Sequence, residues 1–259
     1  MGFRTLVGIP AYNAERSISE VLERVKRQPV DAIVVVDDGS RDQTRRLLQS
    51  LSDIHYILHP ENRGYGAAQK TIFEYFRNWK RSDDDVLVFV HADGEMRPEE
   101  IPDVVAPLLE GPDLDMVFGS RVLTQKRKGP KPAYHVNRPS WKTTLDAVAT
   151  TAQNLVYKAD LTTYFGGFRA IRGSSLDKID YQLCHDRHFF DQELLIRCVT
   201  GDVRVREVPI SNVENGSVSH YSMFQVASQI LRFASHYAFR GVLPCPQGRD
   251  EMGLSQVES

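Results

Sequence analysis

Val86-Leu87-Val88-Phe89-Val90-His91-Ala92-Asp93-Gly94-Glu95 is the stretch on which the fold turns: five apolar residues stop abruptly at three polar ones in alternate positions. An unbroken apolar run of this length reads as a strand covered on both faces, the usual condition of a parallel sheet. In open α/β sheets, ligands sit in the crevice beyond the carboxyl ends of such strands. His91, Asp93 and Glu95 are therefore candidate metal ligands, and the competing reading is a polar turn that merely ends a strand.

Working outward, apolar runs alternate with helical periodicity. Thr5 to Ile9 precedes a helix over Ile18 to Val25, and Ala32 to Val36 precedes a helix reaching Leu51. Ile54 to Leu58 is followed by Ala67 to Trp79; the central strand is followed by a helix led by Pro98, and Met116 to Phe118 follows that. Repeated βα units predict a mostly parallel sheet with helices on both faces. Farther on, the pattern predicts a helix over Trp141 to Tyr157, a strand over Phe168 to Ile171, a helix over Phe190 to Val199 and a last strand over Val203 to Val208.

The division expected is an α/β domain over 1–215, an amphipathic helix within 216–243 and a disordered tail over 244–259. Gln125 to Pro132, basic and rich in breakers, reads as an exposed mobile loop. With 259 residues, 41% of them hydrophobic, the chain can bury a large core. Its 32 basic and 34 acidic residues give no long-range attraction to nucleic acid. Cys184, Cys198 and Cys245 lie far apart with no paired spacing, which argues against a disulfide framework or a structural zinc site. No stretch is apolar for long enough to span a bilayer, and the opening residues lack a secretion signal. The expectation is a cytoplasmic protein, with peripheral contact at the inner face of the cell membrane open to it.

The chemistry-bearing residues gather at strand ends. Val36-Asp37-Asp38-Gly39-Ser40 places adjacent carboxylates where repulsion is costly unless polar groups use them. Asp can accept hydrogen bonds from a base or from ribose hydroxyls, while Gly39 permits a turn and Ser40 or Asp42 can cap the next helix. Pro10-Ala11-Tyr12-Asn13-Ala14-Glu15 offers an aromatic face beside an amide and an acid, a place for a nucleobase to stack.

These segments, with Asn62-Arg63-Gly64-Tyr65-Gly66 and the acidic strand end at Asp93, resemble the nucleotide-sugar half of family-2 glycosyltransferases. Asp115 to Arg121, Gly167-Phe168-Arg169 and Phe190 to Leu195 extend the resemblance to the dolichyl-phosphate mannose synthase-like branch. The resemblance covers roughly residues 4 to 210. It implies a GT-A (Rossmann-like) fold, a UDP- or GDP-hexose donor, Mn²⁺ or Mg²⁺, and inversion at the anomeric carbon. By the same resemblance the donor site would comprise Pro10, Ala11, Tyr12, Asn13, Glu15, Asp37, Asp38, Gly39, Arg63, Gly64, Ala92 and Asp93. Asp38 and the 10–15 loop would hold base and ribose, and Asp93 the metal bridging the two phosphates, with Glu95 completing the coordination. His91 departs from the family's D-x-D pattern; imidazole remains a competent ligand that favours Mn²⁺, and a satisfied hydrogen-bonding histidine is the alternative.

The acceptor is less legible. A hydroxyl acceptor needs a base, for which Asp191 and Glu193 are candidates. A phosphate acceptor, already an anion, needs cations instead, for which Arg121, Arg138 and Arg169 are candidates. The leading expectation is transfer to a polyprenyl phosphate. The alternatives are a soluble transferase acting on a hydroxyl, and a catalytically degenerate nucleotide-sugar-binding protein. From Ser222 to Leu243, Gln225, Gln229, Arg232, His236 and Arg240 share one helical face, opposite Met223, Val226, Ile230, Phe233 and Tyr237. That helix can pack on its own domain, on a second subunit in a homo-oligomer or on a membrane surface.

Overall fold

The computed structural model describes residues 2–128, 140–187, 189–211 and 223–240. Seven strands form one sheet: β1 (Thr5–Ala11), β2 (Ala32–Asp37), β3 (His55–Leu58), β4 (Val86–Phe89), β5 (Met116–Ser120), β6 (Arg169–Arg172) and β7 (Val205–Pro209). Their spatial order is β3-β2-β1-β4-β6-β5-β7. All pairings are parallel except those of β6, which runs antiparallel to both β4 and β5. The apolar runs thus formed the strands expected of them, and one strand of reversed direction makes the sheet mostly, not wholly, parallel.

Eight helices follow in chain order: α1 (Ile18–Lys26), α2 (Thr44–Gln49), α3 (Tyr65–Trp79), α4 (Ile101–Glu110), α5 (Arg121–Lys128), α6 (Ser140–Tyr157), α7 (Phe190–Thr200) and α8 (Met223–Arg240). Strand residues alternate between two cores. Leu6, Val34, Leu87 and Phe118 face the one built with Ile72 and Phe73 of α3 and Leu194 of α7. Val7, Val35, Val88 and Val117 face the other, built with α1 and α4. In α1 the buried residues Ile18, Val21, Leu22 and Val25 recur at i, i+3, i+4 and i+7, the stripe an amphipathic helix needs to cover a sheet.

One element differs from the sequence reading, and one takes up an option it left open. The segment expected to be a loop from Gln125 begins as helix, because Ser120 at the end of β5 accepts the Leu123 N–H at 3.3 Å and caps α5, which then continues to Lys128. The C-terminal helix packs on the same domain: Phe233 is buried in the α3/α7 core, and Tyr237 meets Tyr157 of α6 edge to face with ring centroids 5.4 Å apart. Residues 244–259, expected to form a disordered tail, lie outside the described residues, as do 241–243 at the expected end of the helix. Among the described residues no helix is long and apolar enough to cross a membrane.

Strand order fixes where a site can form. From β1 the chain goes to β2 on one side, then returns to place β4 on the other, so the carboxyl ends of β1 and β4 flank a topological switch point. Because β6 is reversed, its first residue, Arg169, pairs with Phe89 and Phe118 near the carboxyl ends of β4 and β5. The preceding loop, Phe165 to Phe168, is thereby delivered to the same edge.

Candidate active site

A cleft of about 190 Å³ opens at this edge. It is lined by His91, Glu95 and Met96 after β4, by Gly119 and Arg121 at the end of β5, by Phe165 to Phe168, and by Asp191 and Gln192 of α7.

Beside it, the loops after β1 and β2 are stitched together. The Asn13 N–H donates to Ser40 Oγ at 3.0 Å, and Asn13 Oδ1 accepts the Arg41 N–H at 2.9 Å. The Ala14 N–H reaches Thr44 Oγ1 at 2.7 Å, and Glu15 accepts the Gln43 N–H at 2.9 Å. Pro10 and Ala11 are buried in β1, while Tyr12 remains 44% exposed at the rim, its ring open to a flat partner. Asn13 takes a positive φ of 49°, a conformation Asn tolerates better than most residues.

The adjacent acids after β2 are used by the protein itself. Asp37 is fully buried and accepts the Ser40 N–H at 2.9 Å and the Tyr56 hydroxyl at 3.1 Å. Burial, then the Asp37 charge, pushes the Tyr56 phenol up to about 12. Asp38, 3% exposed, accepts His59 Nδ1 at 2.6 Å, the Arg63 N–H at 3.0 Å and the Gly64 N–H at 2.7 Å. The polar groups needed to offset carboxylate repulsion are thus side-chain and backbone donors of the 56–64 segment. Asp38, expected with the 10–15 loop to hold base and ribose, and Asp37, expected in the donor site, thus both have their carboxylates engaged by the protein. Gly39, at φ 72°, turns against the Glu61 and Asn62 backbone, where a Cβ would come within 2.6 Å. Arg63 stands exposed beside Gly64.

The β4 end behaves differently. The Ser17 hydroxyl donates to Ala92 O at 2.7 Å and fixes the strand end to α1, with Ala92 itself buried. Gly94, at φ 76°, turns the chain, and the Glu95 N–H returns to Asp93 Oδ1 at 2.9 Å. The Asp93 side chain is 44% exposed, and its Oδ2 lies 3.9 Å from His91 Nδ1. Imidazole and carboxylate together suit Mn²⁺ or a similar divalent ion, and this separation lets both reach one ion after a small side-chain rotation. Among the described residues no three His, Cys, Asp or Glu side chains converge on a common point; Glu95, expected to complete the coordination, lines the cleft. The alternate spacing brings His91 and Asp93 side by side, and Gly94 redirects the chain before Glu95.

Beneath the cleft runs a polar network that the sequence reading only partly anticipated. Asp191 accepts Arg169 Nη1 at 2.5 Å, Gln69 Nε2 at 2.8 Å and the Tyr65 hydroxyl at 2.8 Å. Arg169 also donates to Gln69 Oε1, and its guanidinium lies 4.5 Å from the centroid of the Phe89 ring. Burial alone would raise the Asp191 pKa, but the Arg169 charge and these hydrogen bonds hold it below the usual carboxylate range. Burial, then the Asp191 charge, pushes the Tyr65 phenol well up. Glu193 is 3% exposed, accepts the His185 N–H at 2.6 Å and does not line the cleft.

Two of the candidate residues are engaged within the protein. Glu193 is turned into the loop before α7 and is not presented as a base. Arg169, 1% exposed and committed to Asp191 and Gln69, is not presented to an acceptor phosphate. Arg121 does line the cleft. Arg138 lies outside the described residues. Tyr65 and Gln69 were given no role by sequence reasoning. Their signal was Gln69 on the buried face of α3, one turn from Tyr65 inside the Asn62 to Gly66 motif.

Residues 6–180 match the family described as Glycosyl transferase family 2. Polyprenol monophosphomannose synthase of Mycolicibacterium smegmatis is 31% identical over 245 residues, covering 88% of each chain. The UDP-N-acetylglucosamine–dolichyl-phosphate N-acetylglucosaminyltransferase of Methanococcus voltae is 27% identical over 245 residues, covering 88% of this chain and 92% of that one. Among solved structures, glucosyl-3-phosphoglycerate synthase of Mycobacterium tuberculosis, in complex with Mn²⁺, UDP and phosphoglyceric acid, superposes with a TM-score of 0.65. Its identity is 17%, and the match covers 94% of this chain and 80% of that one. The chain belongs to glycosyltransferase family 2 and is a glycosyltransferase of the GT-A fold, with curated relatives that are polyprenyl-phosphate sugar transferases.

Proposed function

We propose that the chain transfers a hexose from a UDP- or GDP-sugar to a polyprenyl phosphate, with inversion, using a divalent ion held by Asp93 and His91. The observation that supports the acceptor class is the engagement of both candidate bases: Glu193 accepts the His185 N–H away from the cleft, and Asp191, in the cleft wall, is paired with Arg169. A hydroxyl acceptor must lose a proton as it attacks, whereas a phosphate is already an anion and asks only for a cation to seat it. Arg121 in the cleft wall supplies one, with the fork geometry suited to phosphate oxygens.

In this reading the base of the donor rests against Tyr12, between the loops after β1 and β2, and the diphosphate reaches across the switch point to the β4 end. The ion supplies Lewis acidity for departure of the nucleoside diphosphate. The reversed strand β6 brings Phe165 to Phe168 over the reacting sugar and narrows the access of water. The relatives named for dolichyl and polyprenol acceptors support the lipid phosphate. Val148 and Leu155 of α6 and Leu231 of α8 are 59%, 79% and 69% exposed, apolar side chains that a peripheral contact with lipid could use.

The test is a matrix of UDP- and GDP-hexoses against a short-chain polyprenyl phosphate and hydroxyl acceptors, with Mn²⁺, reading lipid-extractable sugar. The expected result is one donor giving a polyprenyl-phosphate sugar, in wild type and in Glu193→Gln. Transfer to hydroxyl acceptors alone, abolished by Glu193→Gln, would refute the proposal.

A further inference from the structure

The proposal above leaves open why His91, in place of a carboxylate, would present a lone pair to a cation. The explanation lies on the far side of its ring. His91 is one-quarter exposed and sits between two neighbours. Tyr65 meets it edge to face, with ring centroids 5.2 Å apart and planes at 86°. Gly167 packs so closely on Nε2 and Cε1 that any Cβ there would collide with the ring. The imidazole is therefore held in one orientation, with Nε2 toward the Tyr65 hydroxyl and Nδ1 toward Asp93.

The Tyr65 hydroxyl has one proton, and Asp191 Oδ2 takes it at 2.8 Å. Asp191 is an obligate acceptor here, because Arg169 and Gln69 already donate to its other oxygen. With its proton committed, the hydroxyl meets His91 only as an acceptor, so Nε2 must carry the ring hydrogen. A neutral imidazole then has its lone pair at Nδ1, on the side of Asp93. Histidines that ligate metals usually donate their other ring N–H to a fixed acceptor, which sets tautomer and orientation.

We infer that Tyr65 is the positioning residue that makes His91 a ligand: held by Asp191, it accepts the Nε2–H and fixes Nδ1 as the nitrogen facing the cation. The inference rests on the metal reading proposed above. It extends the chain of control back through the fold. Asp38 holds the Gly64 N–H, Gly64 starts α3, and Tyr65 is the first residue of that helix. The Ala67 N–H donates to Asp186 O at 2.9 Å, tying the same turn to the loop that leads into Asp191.

The experiment pairs two readouts on wild type, Tyr65→Phe and His91→Ala, with thermal melting to confirm folding. The first is ¹⁵N NMR of the His91 ring in metal-free protein, at a pH where the ring is neutral. The second is titration with MnCl₂ alone, followed by the electron paramagnetic resonance of the free ion. Wild type should show the Nε2–H tautomer. Tyr65→Phe should populate Nδ1–H and weaken Mn²⁺ binding roughly 10- to 100-fold. An Nδ1–H ring in wild type, or a tautomer and affinity unmoved in Tyr65→Phe while His91→Ala is impaired, would overturn the inference alone. Mn²⁺ affinity unchanged in His91→Ala would sink the metal reading and this inference with it.

Discussion

Two strand ends on one edge of the sheet carry nearly the same chemistry and use it in opposite ways. After β2, Asp37-Asp38-Gly39 turns on a glycine at φ 72°; after β4, His91-Ala92-Asp93-Gly94 turns on one at φ 76°. The β2 acids are 0% and 3% exposed and accept donors from residues 40 to 64, so they build a loop. The Asp93 side chain is 44% exposed, with its Oδ2 3.9 Å from Nδ1 of His91, which lines the cleft. A carboxylate at a strand end can thus be buried under protein donors or left partly exposed, and residue type alone does not decide.

Substitutions should separate the two ends. The largest effect is expected at Asp93→Ala: transfer should fall by about 10³-fold or more, since the ion's Lewis acidity contributes several kcal/mol. Folding stability should stay within about 0.5 kcal/mol, as at other partly exposed surface positions. Initial rates and thermal melts on the same preparation check both halves. Asp38→Ala should do the reverse in kind. Stranding the His59, Arg63 and Gly64 donors should cost about 3 kcal/mol, lowering Tm by roughly 6–12 °C. A cavity in Asp38→Ala that leaves Tm untouched would mean the 59–64 segment is held by other contacts.

Gly39→Ala comes next. A positive φ and a Cβ pressed on the Glu61 and Asn62 backbone should cost about 2 kcal/mol, read as a lower denaturation midpoint at unchanged slope.

The smallest effect concerns a third acid, Asp115, at the opposite end of the sheet from the cleft. Its burial alone would raise its pKa, but the Arg204 N–H, Lys178 and Ser175 more than offset this and hold it below the ordinary value. A carboxylate depressed on folding contributes stability that is present above its unfolded pKa and lost as pH falls through the folded one. Asp115→Asn should therefore be less stable than wild type by about 1 kcal/mol at neutral pH. The gap should close as the pH is lowered below about 4, the unfolded value for Asp. A gap that persists at low pH would contradict this origin.

The same contrast shows what could be read in the chain before its structure. The strands were legible because apolar runs such as Val86 to Val90 are buried on both faces, and the nucleotide half because its motifs are local in sequence. The reversal of β6 was not, since Arg169 to Arg172 offers only four residues and nothing in a short run specifies the direction of its neighbours. Helix α5 was hidden because its basic composition argues against burial, while its cap lies in the preceding strand. The engagement of Asp38 was not legible because its partners, His59, Arg63 and Gly64, lie more than twenty residues away. Tyr65 was quoted as part of a motif, yet its task depends on Asp191, 126 residues later. Local pattern revealed which residues are chemically able; only tertiary contacts revealed which are already engaged.

The most direct measurement of the central claim is calorimetric titration of UDP and of GDP, each with and without Mn²⁺, into wild type, Asp93→Asn and Asp38→Asn. If the β4 end holds the ion and the β2 end only shapes the loop, Mn²⁺ strengthens binding of one nucleotide to wild type. That metal-dependent gain should vanish in Asp93→Asn at unchanged Tm, and persist in whatever fraction of Asp38→Asn remains folded. An undiminished gain in Asp93→Asn, or its selective loss in folded Asp38→Asn, would contradict the account.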